Sequence, residues 1–334
     1  MIEHNLPNKS AWQQELAQAI TEPHELFAAL ELDPTTMPEA VSASQLFSLM
    51  VTRSFLSRME KGNPTDPLLL QVLPQYAEHR DVPGYTDDPL RESTVNPIPG
   101  LLHKYKNRVL FTLTTKCAVN CRFCFRRHFP YGDNNPGTRG WDKAFAYVAA
   151  DTALNEVILS GGDPLVSPDK LLYHFSDNIN AIPHIKRLRI HTRLPIVLPE
   201  RIDAGFLAWC QSLKQQLIIV THCNHPQEIN TEVKAALQAL RNAGVVLLNQ
   251  TVLLKDINDS AETLIALSET LFDAGVQPYY LHLLDKVAGA AHFDLDKDKA
   301  LAIHNQMIKQ LSGYLVPTLV CEEPGAPAKT RVIA

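Results

Sequence analysis

The sequence predicts an α/β protein: a partial (β/α)6 barrel, with helices ahead of it and a short segment behind. Three observations lead there. From residue 109 onward, short β-rich apolar runs alternate with amphipathic helical runs, which builds a parallel sheet with right-handed crossovers. Six such units are present, two short of a closed eight-fold barrel. The chemically distinctive residues fall at or just after the strand ends, on the rim where β/α barrels build their sites. A flat doubly wound sheet has the same periodicity and stays open as the alternative.

The first 98 residues read as a helical cover. Amphipathic stretches run over Ser10–Ile20, His24–Leu32 and Ala43–Lys61, and Gly62-Asn-Pro-Thr-Asp-Pro67 stops the last by proline chemistry. Leu68–Leu73 is a further short apolar run. Asp81–Gly100, rich in Pro, Gly and Asp, reads as a structured linker or surface loop. No chemistry is predicted in this region. The core, residues 99–313, has predicted strands Val109–Thr114, Glu156–Ser160, Arg187–His191, Leu217–Thr221, Val245–Thr251 and Pro278–Leu283. Its predicted helices are Trp141–Ala150, Pro168–Ala181, Pro199–Gln215, Gln227–Ala243, Ala261–Ala274 and Lys297–Leu311. Residues 314–334 form a C-terminal strand and loop.

Composition narrows the class. Of 334 residues, 45% are hydrophobic and 20% charged, as in a soluble globular protein. A net charge of −5 speaks against a polyanion-binding surface, so no nucleic-acid partner is expected. No apolar stretch approaches a membrane span, and Met1-Ile-Glu-His-Asn-Leu6 lacks a signal-peptide pattern. The expectation is a cytoplasmic protein without membrane contact.

The strongest motif is Cys117-Ala-Val-Asn-Cys121-Arg-Phe-Cys124, directly after the first predicted strand. An iron–sulfur cube takes four ligands, normally all cysteine, so three thiolates in one loop leave a position open. The other reading is a Cys3His zinc site with His128 as fourth ligand, although zinc sites usually draw on separated ligand pairs. Cys210, Cys223 and Cys321 lie in predicted elements and read as buried small hydrophobes.

Ser160-Gly161-Gly162-Asp163 follows the second strand. Glycines there permit close backbone approach, although alone the segment reads as a turn. His191, His222, Gln250 and Asp285 fall at the next strand ends. A lone histidine or glutamine in such a place is more often hydrogen-bonded structure. Lys329 sits in the Pro/Gly loop Pro324-Gly-Ala-Pro-Ala328 after the strand-like Tyr314–Val320. A loop lysine is normally solvated, but lysine is also the residue that forms Schiff bases with pyridoxal 5′-phosphate (PLP).

C-x3-C-x2-C with the aromatic Phe123 before its last cysteine resembles the radical S-adenosylmethionine (SAM) superfamily. The resemblance implies a radical SAM barrel in which Cys117, Cys121 and Cys124 hold a [4Fe–4S] cluster and SAM chelates the fourth iron. It places Ser160, Gly161, Gly162, Asp163, His222 and Gln250 near SAM. A second resemblance spans about residues 60 to 331. Met59-Glu-Lys-Gly-Asn-Pro64, Gly100-Leu-Leu-His-Lys-Tyr105-Lys-Asn-Arg108, Cys124-Phe-Arg126-Arg127, Leu194-Pro-Ile-Val-Leu-Pro199, Thr221-His222-Cys-Asn-His225-Pro and Leu284-Asp285 are similar to segments of lysine 2,3-aminomutases, which are PLP-dependent isomerases. That resemblance implies Lys329 as the PLP lysine, with Lys104, Tyr105 and Arg108 around the cofactor. It implies Arg126 for the substrate carboxylate, and Asp285 with Glu322 for the distal ammonium.

Two departures stand out. The Lys329 loop has fewer glycines than the family's, and Glu322 stands where longer relatives have Asp. The chain also lacks the cysteine-bearing extension of those relatives, so no structural zinc is expected. Arg127-His-Phe-Pro-Tyr131 and Tyr279–Phe293 look most like the subgroup that makes (R)-β-lysine for elongation factor P. The implied partners are L-lysine, an electron donor such as a flavodoxin or ferredoxin, and a functional link to a lysyl-tRNA-synthetase-like ligase and elongation factor P. A homo-oligomer stays open. So do three rivals: a radical SAM enzyme without PLP, another amino-acid 2,3-aminomutase, and a zinc-binding interaction module.

Overall fold

The computed structural model describes residues 10–36, 40–132, 134 and 137–333; the reading of Met1–Leu6 lies outside them. One nine-stranded sheet organises the chain: β1 (Leu101–Tyr105), β2 (Arg108–Thr114), β3 (Glu156–Gly161), β4 (Arg187–Thr192), β5 (Gln216–His222), β6 (Val246–Val252), β7 (Gln277–His282), β8 (Thr318–Cys321) and β9 (Thr330–Arg331). The spatial order follows the chain order from β1 to β9. A doubly wound sheet reverses its order at a switch point, so this sequential order selects the partial barrel. Strands β2 to β8 run parallel, while β1 and β9 pair antiparallel at the two edges. β1, β9 and the parallel β8 extend the six predicted units at both ends.

Alternation along the strands sorts side chains into two faces. Leu159, Ile190, Ile219 and Leu247 join Phe175, Leu237 and Leu267 of the crossover helices in the main core. The register aligns Ile158 with Arg189, His191 with Val220, His222 with Gln250, and Gln250 with Tyr280. These residues belong to the opposite face, which lines the barrel interior.

Several helices start later than periodicity predicts, because a capping side chain marks the start. Asp203 accepts from Phe206 N at 2.9 Å, so the expected Pro199–Gln215 helix is Ala204–Ser212. Asn230 accepts from Val233 N at 3.1 Å and sets Thr231–Asn242 in place of Gln227–Ala243.

The expected Ala43–Lys61 helix is corrected to two short ones, Ala40–Leu46 and Arg53–Leu56. Between them Val51 exchanges backbone hydrogen bonds with Ile20, at 2.8 and 2.9 Å, and Thr52 caps the second helix. Burying Val51 by strand-like pairing outweighs continuing the helix. The N-terminal helices share the barrel's core, with Trp12, Phe55 and Leu69 in the same cluster as Leu159. The Asp81–Gly100 segment is tied to the barrel mouth: Thr86 N donates to Lys286 O at 3.0 Å, and Ala288 N donates to Thr86 O at 2.9 Å. Among the described residues, no helix is long and apolar enough to cross a membrane.

Candidate active site

The cysteine loop leaves β2 and is held from outside the barrel. Asn120 N donates to Met50 O at 3.0 Å and Arg122 N to Gln71 O at 2.9 Å. Arg122 and Arg127 both donate to Glu78, at 2.5 and 2.7 Å, with all three side chains at most 1% exposed. A carboxylate between two guanidiniums is a strong latch only when every charge is compensated. On the other side, Arg193 Nη1 donates to Cys121 Sγ at 2.8 Å, while Nη2 donates to Gln71 Oε1 at 2.6 Å and Glu228 Oε2 at 3.0 Å.

The three thiols are close enough to influence one another. Burial pushes the Cys117 thiol up, and Cys124, Asp163 and Cys121 add to that push. Burial and then Cys121 raise the Cys124 thiol to about 11. Thiols that resist ionising alone are stabilised as thiolates by cationic iron, and an N–H···S bond such as Arg193's recurs around Fe–S centres. His128, the fourth ligand in the zinc reading, is directed elsewhere: its Nε2 lies 3.2 Å from Ala288 O and 3.7 Å from Asp87. Among the described residues no three Cys, His, Asp or Glu side chains converge on the point that one ion would occupy. The residues fit a cluster held by three cysteines.

Gly161 and Gly162 are required by the chain itself. A Cβ on Gly162 would sit 2.3 Å from Lys116 O, and one on Gly161 2.6 Å from Thr114 O. Asp163 N donates to Lys116 O at 2.8 Å. The Asp163 carboxylate accepts from Thr192 Oγ1 and Arg193 N, both at 2.6 Å, and so fastens the cysteine loop to the end of β4. Its first role is to hold the loop. Ser160 accepts from Arg126 Nη1 at 2.8 Å. Arg126 is almost fully buried, and its Nε and Nη2 grip Glu92 at 2.8 and 2.7 Å.

Where β1 approaches the segment beyond β8, Glu322 sits between two amines. It pairs with Lys104 Nζ at 2.7 Å and with Lys329 Nζ, and the Tyr105 hydroxyl lies 3.4 Å away. Burial alone would raise the Glu322 carboxyl, but Lys329 and Lys104 bring it down to about 2. Burial lowers Lys329 in spite of Glu322. Asp285 is pushed up to about 7, by burial first and by the Glu322 charge second. Arg108 lies 3.9 Å from the Tyr105 ring centroid.

Histidines line the space between the two ends. His222 pairs with Gln250 at 3.0 Å, and burial takes it down to about 3. His191 and His282 are held neutral by burial, and the Nε2 of each has no hydrogen-bond partner among the described residues; the buried Arg108 Nε has none either. Buried polar atoms are rarely left orphaned, so these mark a place for polar ligands. Cationic Lys104 and Arg108, orphaned donors and a partly desolvated lysine fit a phosphate-bearing aldehyde such as PLP. Lys329 Nζ lies 5.5 Å from the Tyr280 ring centroid, Tyr280 is in register with Gln250, and the His222 and His191 rings are 6.2 Å apart, so Lys329 borders the interior wall that carries these histidines.

Sequence reasoning missed Glu92, Glu78, Arg193, Glu228 and His282. Only His282 had a usable signal, since alternation along β7 puts it on the face of Tyr280.

The radical SAM superfamily model matches residues 111–267. The chain is 50% identical over 327 residues to an L-lysine 2,3-aminomutase of Escherichia coli (strain K12), covering 98% of this chain and 95% of that protein. It is 47% identical to one from Haemophilus influenzae, over 96% of this chain and 94% of that one. It is 33% identical to one from Clostridium subterminale, over 96% of this chain and 77% of that one. Identity at this level over nearly the whole chain places the protein in the L-lysine 2,3-aminomutase family of radical SAM enzymes.

Proposed function

We propose that the protein converts L-lysine to (R)-β-lysine by moving an amino group from C2 to C3. The observation that carries this reading is the shared space. Lys329, paired to Glu322, lies against Tyr280, which is in register with Gln250, and Gln250 pairs with His222 at 3.0 Å on the strand ends that follow the cysteine loop. When bound, the [4Fe–4S] cluster and SAM supply a hydrogen-abstracting carbon radical, and PLP supplies the conjugated system across which nitrogen can migrate.

The chain's own residues bind and orient. Cys117, Cys121 and Cys124 would hold the cluster, with His222 and Gln250 on the interior wall near SAM. Lys329 would carry PLP, with Lys104, Tyr105 and Arg108 around its phosphate and ring. Arg126 holds the substrate carboxylate. Asp285 and Glu322 hold the distal ammonium, so both ends of lysine are fixed and C3 is presented in one orientation.

Charge is conserved in this scheme. Glu322 balances Lys329 in the free protein. With Lys329 holding the cofactor, Glu322 would keep its pair with Lys104, and the oxygen that now faces Lys329 could accept from the incoming ammonium. A cavity of about 700 Å3 opens this end to the outside; carboxylates (Asp88, Asp285, Asp294, Asp296 and Glu322) outnumber the cations Arg91, Lys286 and Lys297 in its lining, which favours a cationic substrate.

The product's use in modifying elongation factor P through a lysyl-tRNA-synthetase-like ligase, and an electron supply from a flavodoxin or ferredoxin, belong to the same proposal. They are supported by similarity to the subgroup noted above. The deciding experiment is anaerobic incubation of reconstituted protein with SAM, dithionite, PLP and L-lysine. β-Lysine is the expected product, and formation of neither β-lysine nor 5′-deoxyadenosine defeats the reading.

A further inference from the structure

Arg126 has five N–H donors. Glu92 takes two along one edge, from Nε at 2.8 Å and Nη2 at 2.7 Å. Ser160 takes one from Nη1 at 2.8 Å. One N–H therefore remains on each terminal nitrogen, and the two form a fork onto a second carboxylate when Ser160 accepts the outer Nη1 hydrogen. We propose that Glu92 is a positioning residue for substrate binding. It stays paired along one edge of Arg126 and aims the remaining fork at the lysine carboxylate. The inference rests on the reading of Arg126 as the carboxylate-binding group.

The surroundings support a fixed brace. The Arg126 and Glu92 side chains are 6% and 13% exposed, so the pair is withdrawn from water and held in one geometry. Glu92 is itself anchored: its N–H donates to Asp88 Oδ1 at 2.9 Å, and Ser93 Oγ donates to Asp88 Oδ2 at 2.9 Å. Arg91, just before it, has a left-handed φ of 50°, a conformation that a non-glycine residue keeps only when its surroundings enforce it. The Asp88 carboxylate closes the turn that carries Glu92, and the backbone pairing of Thr86 with Lys286 and Ala288 ties this segment to the barrel mouth.

The competing role for Glu92 is a plug, a carboxylate sitting where the substrate's would go. A plug must leave before lysine binds, so removing it would tighten binding. A brace has the opposite sign.

The test measures equilibrium binding of L-lysine and of lysinamide, which lacks the carboxylate, to PLP-loaded protein without SAM, followed by bound-PLP absorbance and by calorimetry. Steady-state kinetics run alongside. For Glu92→Gln, the lysine Kd and KM are expected to rise about tenfold with a smaller change in kcat, because misaiming one clamp weakens positioning at one end. PLP and iron content and lysinamide binding should stay as in the parent. Glu92→Asp keeps the charge but shortens its reach, and should fall between the two; it also serves if the glutamine variant folds poorly. An unchanged or lower lysine Kd, or equal weakening of lysinamide, overturns the proposal. Arg126→Lys separates this from the underlying reading. If it weakens lysine binding and Glu92→Gln does not, only the brace fails; if neither does, Arg126 is not the carboxylate site.

Discussion

The cysteine end and the lysine end of the site are charged by different means. Around the cysteine loop the cations are arginines: Arg122 and Arg127 on Glu78, Arg126 on Glu92, Arg193 on Glu228. A guanidinium does not give up its proton in a protein, so the cations of these pairs keep their charge at any working pH. Around Lys329 the groups are lysines and carboxyls whose proton affinities burial has moved, Asp285 to about 7 and Lys329 downward. In the proposed reading, the first end keeps a constant field around a cluster and a substrate carboxylate, and the second exchanges a proton when Lys329 changes partners. Fixed charge thus surrounds the cysteine loop, and exchangeable charge surrounds Lys329, where Glu322 beyond β8 meets Lys104 of β1.

The most forceful way to break this comparison is to disable each end and ask whether the other notices. Lys329→Ala is expected to lower turnover by about ten thousandfold or more and to abolish the absorbance of lysine-bound PLP, with iron content unchanged. Cys121→Ala should do the reverse. Iron and 5′-deoxyadenosine formation are lost, while the PLP absorbance stays. A loss that crosses from one end to the other would show that the two are not separable units.

The fixed end is next tested through stability. Glu78 is fully buried between two arginines, and its removal leaves two uncompensated charges. Glu78→Gln is expected to destabilise the protein by about 3–5 kcal/mol, read from the denaturant midpoint. A change within experimental error would mean that the guanidiniums find other acceptors, and that the cysteine loop is held by its backbone bonds to Met50 and Gln71.

What the sequence made legible follows the same division. Strand–helix alternation revealed the barrel, because parallel strands buried on both faces leave apolar runs that are bounded and countable. The residues at strand ends were legible for the same reason, and Lys329 and Asp285 through the resemblance of their short segments. The arginine partners were not. Glu92 lies in a short 3-10 turn within a Pro- and Asp-rich stretch, and its partner is 34 residues further on. Glu78 reaches Arg122 across a comparable separation. No periodicity links such residues, so nothing local in the chain announces the pair. The break at Val51 was hidden because its apolar spacing also suits a helix, and only its pairing with Ile20 decides otherwise. The glycines at 161 and 162 invited a ligand-contact reading, and the structure adds the demand of the Lys116 carbonyl.

The gentlest test concerns pH. The Asp285 carboxyl, raised to about 7, is only partly ionised in the free protein near neutrality, whereas Glu322, held at about 2, is ionised throughout that range. On the proposed reading, the lysine ammonium binds the ionised form of Asp285. As pH falls through about 7 the lysine KM should therefore rise, and above it the KM should level off, with Glu322 adding no step of its own. Asp285→Asn should give a weaker but flat profile.

Stability has the opposite sense. An unfolded aspartate titrates near about 3.9, so the folded chain favours the protonated carboxyl, and that contribution is full at low pH and is lost as pH rises through about 7. Asp285→Asn should remove this decline from the pH dependence of the unfolding midpoint. At the fixed end, Arg126→Lys should raise the lysine KM by the same factor at every pH in the neutral range. A pH-dependent loss there, or a flat profile in the parent protein, would erase the distinction between the two ends.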